Sequence, residues 1–408
     1  MKYLVDVVNF NGDASCMSSK RWLEILQGGY TSSLVKWLFL YVDLKKKVVL
    51  GFPGAIIADI STYNPEAISL INDHPEIFEI IIRPFAHDIA LLRIGSGFLQ
   101  NIEFGCKTIY KEFKNVSEYF LPPEFMLTNK QVSVLQGMKI KGIFINSSRF
   151  SEEIMKRIPT EPYKIRGLFN TTLNCIPIRG DFTMNYLCSI AMFDVRKWND
   201  SIQSSNAETI FTWRDGESSF FFDSGLEREG NWLEYETEIV RRKHVNEVKL
   251  TFTPNKSLED SLYRSYPVHS FLAWMKEFRM MGYVNRVQAV EERLELFSDE
   301  QVYLWLMTIN SDILSSVEKA SPIIQTVEKP GSNSVENIVI KRVERGFEGE
   351  EYLAILYESL KGNDVSKYTK NQVETHLRKL EGRIRYLRTL EHDLINISEF
   401  KDEITRDV

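Results

Sequence analysis

Residues 79–150 alternate short apolar runs with longer amphipathic stretches. The apolar runs are rich in β-branched and aromatic residues, which is typical of buried strands. Apolar positions in the stretches between them recur at helical spacing. The predicted strands cover residues 80–82, 116–121 and 142–146, and the predicted helices cover residues 98–113 and 128–136. This order predicts repeated β/α units.

Each predicted strand is followed at once by polar or proline-containing sequence. The first leads into Arg83-Pro84-Phe85-Ala86-His87-Asp88, the second into Pro122-Pro123-Glu124, and the third into Asn146-Ser147-Ser148-Arg149. In parallel α/β sheets and barrels, sites gather at the carboxyl ends of the strands. The pattern therefore predicts an α/β fold with a site at that edge.

Two further predicted strands end in the same way. Residues 3–8 form a first strand, and the polar loop after it carries Asn11 and Asp13. This loop is either a wall of the site or an ordinary turn, since Asn-Gly and Gly-Asp favour turns. Residues 209–213 form another strand, and Arg214, Asp215 and Glu217 follow it.

Helical patterns dominate from about residue 257, and one of the predicted helices covers residues 284–296. The sequence Pro330-Gly331-Ser332-Asn333-Ser334 is linker-like. In residues 373–397, apolar positions recur at spacings of three and four, which predicts a long helix. This helix either packs on its own protein or makes a homo-oligomer contact. We expect three regions: 1–256, 257–330 and 331–408.

Composition narrows the class of protein. The net charge of −6 over 408 residues gives no general basic field for nucleic acid. No apolar stretch reaches the roughly 18 residues of a membrane span, and the first residues lack the pattern of a signal peptide. The four cysteines form no CxxC pair, so reduced core thiols are expected. We expect a soluble, cytoplasmic protein.

Glu124 and Asp215 are carboxyl groups at two predicted strand ends. Cleavage of a glycosidic bond requires such a pair facing each other across a pocket. One carboxylate attacks or stabilises the anomeric carbon, and the other is held protonated to release the leaving oxygen.

Roughly the first 320 residues, and most clearly the segment 79–150, resemble glycoside hydrolase family 57 and its relatives, the family 38 mannosidases and the polysaccharide deacetylases. The resemblance rests on Pro84–Leu92, which contains His87, on Leu121-Pro122-Pro123-Glu124, and on Asp215-Gly216-Glu217 with Phe220 shortly after. It implies an incomplete (β/α)7 barrel followed by a helical domain. It also implies a retaining hydrolase or transglycosidase for α-linked oligo- or polysaccharides, with Glu124 as nucleophile and Asp215 as acid/base.

Other side chains are candidates for binding the sugar. We expect His87 to hydrogen-bond a sugar hydroxyl, arginines to orient the carboxylates by charge-assisted bonds, and tryptophans to stack on sugar faces. The full set is Asn11, Asp13, His87, Asp88, Arg149, Trp213, Arg214, Glu217 and Trp232. We expect no cofactor and no metal.

The chain departs from the family pattern after its first strand. That place holds Asn9-Phe10-Asn11-Gly12-Asp13, where the family has a His-rich motif. Three alternatives stay open: Glu217 as the second carboxylate, a non-catalytic carbohydrate-binding or polysaccharide-assembly protein, and a metal-dependent deacetylase. The deacetylase would use Asp13 and His87 but lacks an evident third ligand.

Overall fold

The structure is a computed structural model. The structure describes residues 3–10, 25–146, 162–166, 168, 171–178, 204, 209–216, 237, 246–247, 256–257, 278–311, 349 and 352–363. The predicted helix over residues 373–397 lies outside these ranges.

The described strands form one curved sheet with the order β10-β6-β7-β5-β4-β3-β2-β1-β8, and β9 pairs with β1. All pairings are parallel except that between β6 and β7. The strands are β1 (Tyr3–Asn9), β2 (Val48–Gly51), β3 (Phe78–Ile82), β4 (Val116–Phe120), β5 (Gly142–Asn146), β6 (Tyr163–Arg166), β7 (Thr172–Ile178), β8 (Thr209–Asp215), β9 (Asn246–Glu247) and β10 (Lys256–Ser257).

The sheet curls into an incomplete barrel. Strands β7 and β8 approach within 8 Å between Cα atoms, yet no ladder joins them among the described strands. Side chains at every second strand position fill the interior as one apolar cluster, which includes Val5, Val7, Ile81, Phe144 and Phe211. Such alternation inside and outside is what a closed or nearly closed sheet requires. The predicted incomplete (β/α)7 barrel is confirmed.

Helices cover the outer face of the sheet between consecutive strands. They are α1 (Ser33–Asp43), α2 (Gly54–Tyr63), α3 (Pro65–Asp73), α4 (Gly97–Glu112) and α5 (Asn129–Gly137). The α5 helix begins with a capping box, in which Thr128 accepts from the backbone N–H of Gln131 and the Gln131 side chain accepts from that of Thr128. This reciprocal pair satisfies backbone donors that a helix start leaves open, and it explains why the predicted helix begins here.

A helical layer packs on the loops after β3 and β4. It contains α6 (Phe278–Glu291), α7 (Asp299–Thr308) and a helix over residues 352–360. Its apolar side chains, with fully buried Trp305 among them, share a core with Phe85, Ile89 and Met126. The helix predicted over residues 284–296 ends at Glu291, and a 3₁₀ turn, Leu294–Leu296, follows it. The helical region after the barrel is therefore present, whereas the boundaries 1–256, 257–330 and 331–408 stay predictions.

Within the described residues, no helix is long and apolar enough to cross a membrane. Cys106 and Cys175 are free thiols, and Cys175 is buried in the layer between sheet and helices. Cys16 and Cys188 fall outside the described residues.

Gly105 sits where α4 crosses the end of β3. A Cβ at this position would lie 2.3 Å from the carbonyl oxygen of Arg83 and 2.8 Å from the amide nitrogen of Phe85. Both are backbone atoms, so the helix would have to move away. The glycine thus lets α4 pack directly on the chain that carries His87.

We expect Gly105→Ala to lower the free energy of unfolding by about 1–3 kcal/mol, since overpacking forces the backbone apart. The control is Gly282→Ala, also inside a helix, where a Cβ would meet nothing within 4 Å. The control is expected to stabilise by about 0.4–1 kcal/mol, because alanine restricts the unfolded chain. Urea denaturation measures both, and equal effects of the two substitutions would contradict the packing argument.

Candidate functional site

The carboxyl ends of the parallel strands meet at one edge of the barrel. Asn9 of β1 is buried there, and the register pairs it with Gly51 of β2 on one side and with Asp215 of β8 on the other. The amide of Gly216 donates to the carbonyl oxygen of Asn9 at 2.7 Å. A Cβ on Gly216 would lie 2.3 Å from the ring of Phe10, so the residue after Asp215 has to be a glycine for the chain to pass here.

Glu124 is presented by a strained turn after β4. Pro123–Phe125 forms a 3₁₀ turn in which Glu124 has a φ of 50° and Phe125 a φ of 55°. Positive φ is uncommon for residues with a side chain, and such strain collects at functional sites. The Glu124 side chain is 19% exposed, so its carboxylate is near solvent while its backbone is held within the protein.

Phe125 connects this turn to β8. Its ring meets that of Trp213 edge-on, with 5.3 Å between the ring centroids. Trp213 packs on the interior apolar cluster, and its indole N–H finds no hydrogen-bond acceptor in the described part of the chain. The structure therefore brings the Glu124 turn next to β8, two residues before Asp215.

His87 lies beside Glu124, with 3.9 Å between His87 Nε2 and Glu124 Oε1. On the other side of the ring, His87 Nδ1 lies 3.4 Å from Ser311 Oγ. Burial, together with the positive charge of Arg83, holds the pKa of His87 well below its usual range. The imidazole is consequently neutral at ordinary pH.

Arg83 also belongs to the site, although the sequence pattern did not identify it as a candidate. Its guanidinium is buried and donates from Nη1 to the carbonyl oxygen of Leu121 at 2.8 Å, directly before the two prolines that precede Glu124. It thus ties the end of β3 to the Glu124 turn. The signal was present in the sequence, because a charged residue stands between a buried strand and a proline. The partner of Arg83 could not be predicted from the sequence, because it is a backbone carbonyl rather than a side chain.

Asp88 belongs to a buried charge cluster that faces the helical layer. Arg93 Nε lies 3.1 Å from Asp88 Oδ2, and Arg93 Nη1 lies 3.4 Å from Glu291 Oε2. Glu291 also accepts from the amides of Ile94 and Gly95 at 3.1 and 3.0 Å. Burial raises the pKa of Asp88 to about 7; Arg93 opposes this shift and Glu291 adds to it.

The predicted site residues thus divide into four groups. The structure joins His87 to Glu124, and it places Trp213 against the turn that carries Glu124. The contacts of Asp88 are with Arg93 and with the segment after α7, where it forms an isolated bridge with Asn310, so its substrate-binding role stays a prediction. Arg214 and Asp215 end β8. Asn11, Asp13, Arg149, Glu217 and Trp232 lie outside the described residues.

Comparison with known proteins agrees with this architecture. No family model matches the sequence, and no curated protein matches it. Among solved structures, the 4-α-glucanotransferase of Thermococcus litoralis superposes with a TM-score of 0.59 at 13% identity, covering 84% of this chain and 60% of that one. This chain shares its fold with the glucanotransferase. At such identity the similarity establishes the fold alone, and the chain spans less than two thirds of the glucanotransferase.

Two GH57 branching enzymes match over nearly their whole length. The enzyme of Pyrococcus horikoshii superposes with a TM-score of 0.52 at 10% identity, covering 94% of both chains. That of Thermococcus kodakaraensis, solved in complex with glucose, gives a TM-score of 0.51 at 12% identity and covers 95% of both chains. The fold shared with these two enzymes therefore includes the described part of the helical region.

Asp88 generates a prediction about the pH dependence of stability. Because its pKa is raised in the folded protein, the folded state holds a proton that the unfolded chain releases between about pH 3.9 and about pH 7. The contribution of Asp88 to the free energy of unfolding is thus fully present below this window and is lost as pH rises through it.

Asp88→Asn removes this titration and leaves Arg93 paired with Glu291. We expect the Tm of the variant minus that of the wild type to increase by several degrees from pH 5 to pH 8, as measured by calorimetry. High salt is the control, since it screens exposed charges far more than buried ones. A Tm difference that stays constant with pH would contradict the assignment.

Proposed function

We propose that the protein is a retaining glycoside hydrolase or transglycosidase that acts on α-linked glucans, with Glu124 as nucleophile and Asp215 as acid/base. The observation that carries the proposal is the Glu124 turn. A carboxylate held at positive φ at a barrel strand end, beside a neutral histidine, is the kind of strained and pre-organised group that catalysis uses.

The position of Asp215 supports the pairing. It lies on β8 two residues beyond Trp213, and its backbone is the register partner of Asn9 at the carboxyl end of β1. Trp213 in turn contacts the residue after Glu124. A retaining pair needs its carboxyl groups about 5–5.5 Å apart, and we expect this distance when substrate is bound.

The reaction proceeds in two displacements. Glu124 attacks the anomeric carbon as the glycosidic C–O bond breaks, and Asp215 gives its proton to the leaving oxygen. Asp215 then takes a proton from the incoming hydroxyl, whose oxygen attacks the anomeric carbon and releases Glu124. When the hydroxyl is that of water the result is hydrolysis, and when it is that of a second sugar the result is transfer.

The substrate class comes from the structural neighbours. They include a 4-α-glucanotransferase, branching enzymes and an α-amylase of Thermotoga maritima. We propose α-glucan for this chain by analogy of fold. The proposed sugar-binding residues are Asn11, Asp13, His87, Asp88, Arg149, Trp213, Arg214, Glu217 and Trp232, with the arginines orienting the carboxylates and the tryptophans stacking on sugar rings.

The first test is activity of the wild type on a panel of α-glucans and α-linked oligosaccharides, with products read by mass. We expect new products from the wild type and none above background from Glu124→Ala. The matched control is Glu118→Gln, which removes an exposed carboxylate of β4 that pairs with Lys141; this variant is expected to keep full activity. If wild type and Glu124→Ala are both inactive but bind oligosaccharide, the protein is instead a carbohydrate-binding or assembly protein.

Rescue of activity by azide distinguishes the catalytic roles of the two carboxylates. With an aryl α-glucoside as substrate, azide can replace the missing carboxylate of Glu124→Ala and attack from the opposite face, which gives a β-glycosyl azide. In Asp215→Ala the glycosyl-enzyme still forms, and azide displaces Glu124 to give an α-glycosyl azide.

Proton NMR distinguishes the two anomers. Without azide, we expect Asp215→Ala to lose about 10²–10⁴-fold in activity on natural glucans. If Glu217→Ala gave the α-azide and Asp215→Ala did not, the acid/base would be Glu217.

A further inference from the structure

The segment that follows α7 is fixed against the residues that follow β3. The amide of Ser311 donates to the carbonyl oxygen of His87 at 2.7 Å, and Asn310 forms an antiparallel bridge with Asp88. Ser311 is almost fully buried. These backbone contacts determine where the Ser311 hydroxyl lies, and they join parts of the chain more than 200 positions apart.

The hydroxyl faces the His87 ring. Ser311 Oγ and His87 Nδ1 are 3.4 Å apart, a long hydrogen bond in which either atom could be the donor. A neutral imidazole carries one N–H and one acceptor nitrogen. The partner on each side of the ring therefore decides where its single proton resides.

Glu124 determines the protonation of Nε2, on the other side of the His87 ring. His87 Nε2 is 3.9 Å from Glu124 Oε1. An N–H at Nε2 attracts the carboxylate, whereas a lone pair there would repel it. With the proton on Nε2, Nδ1 is the acceptor and the buried Ser311 hydroxyl has a group to which it can donate. Both contacts are satisfied by this tautomer and by no other neutral form.

We propose that Ser311 is a positioning residue, whose hydroxyl donates to His87 Nδ1 and so keeps the Nε2–H of His87 directed at Glu124. The helical layer thereby contributes to the site without touching substrate. The consequence for catalysis rests on the proposed function, since the Nε2–H would orient the Glu124 carboxylate before attack. The tautomer itself does not depend on that function.

The test is the protonation of the two His87 ring nitrogens in the full chain. Protein labelled with ¹⁵N at histidine is measured by long-range ¹H–¹⁵N correlation NMR, and the His87 signals are assigned by their loss in His87→Gln. We expect the wild type to show a protonated Nε2 and an unprotonated Nδ1. A protonated Nδ1 in the wild type would overturn the proposal, whatever happens to any variant.

Three variants show whether the hydroxyl is responsible. Ser311→Ala is expected to move both ring nitrogens toward a tautomer mixture, and Ser311→Thr to preserve the wild-type spectrum. Thr308→Val is the matched control: it removes another buried hydroxyl at the end of α7, one that donates to the carbonyl oxygen of Trp305 at 2.6 Å rather than to histidine. Unchanged His87 signals in Ser311→Ala would refute the role of Ser311.

Activity provides a separate readout. We expect Ser311→Ala to lower kcat about 10-fold, the effect of one lost hydrogen bond, and to leave KM little changed. Ser311→Thr keeps the hydroxyl and is expected to have the kcat of the wild type. If wild-type protein turns over no α-glucan, the proposed function fails, while the ring tautomer still decides the role of Ser311. If the tautomer changes but kcat does not, the orientation of Glu124 is independent of His87.

Discussion

The parallel backbone ladder that runs from β8 through β1 to β7 is the constraint on which the rest of the molecule depends. A sheet bonded in this way has to be covered on both faces. Its inner face is covered by the interior cluster around Val7, Ile81 and Phe144, and its outer face by helices α1 to α5. Since all the long strands but the hairpin partner β6 point the same way, their polar ends collect at one rim, and the chemistry has to be there.

Buried polar contacts then stiffen that rim. Arg83 bonds the backbone before the Glu124 turn, Ser311 contacts His87, and Arg93 lies between Asp88 and Glu291. Burying such groups is costly unless they are partnered. Each of these contacts joins a strand-end loop to another element. The free-energy cost of burying the polar groups is therefore offset by partners that also fix the positions of the loops. The apolar core shared with the helical layer also packs against these loops and stabilises them.

The Glu124 turn shows how strain and rigidity work together. Two prolines restrict the approach to the turn, and the next two residues adopt positive φ. The conformation persists because Phe125 is buried against Trp213 and because Arg83 holds the preceding carbonyl. The backbone held in this way fixes where the Glu124 side chain begins, and the contact with His87 then limits where its carboxylate can lie, which favours electrostatic pre-organisation.

The sequence by itself determined the fold class, strand β1 and the elements from β3 to β5. The spacing of apolar residues, the helix-capping residues and the prolines are signals that depend on only a few neighbouring positions. They were therefore sufficient to predict the strands near residues 80, 118 and 144 and the helix that begins after Thr128. The same local signals placed Glu124 at a strand end. They also indicated the strand before Asp215 and the helical region after the barrel, although α6 and the turn after it replaced one continuous helix.

Tertiary structure decided what touches what. No local pattern shows that Asp88 pairs with Arg93 and Glu291 rather than facing His87's partner Glu124, or that Ser311 reaches His87 across the sequence. Adjacent polar residues such as His87 and Asp88 read alike in a sequence but point to different neighbours once the chain is folded. Contacts between distant residues depend on how the layers pack, and packing is a property of the whole chain rather than of any window within it.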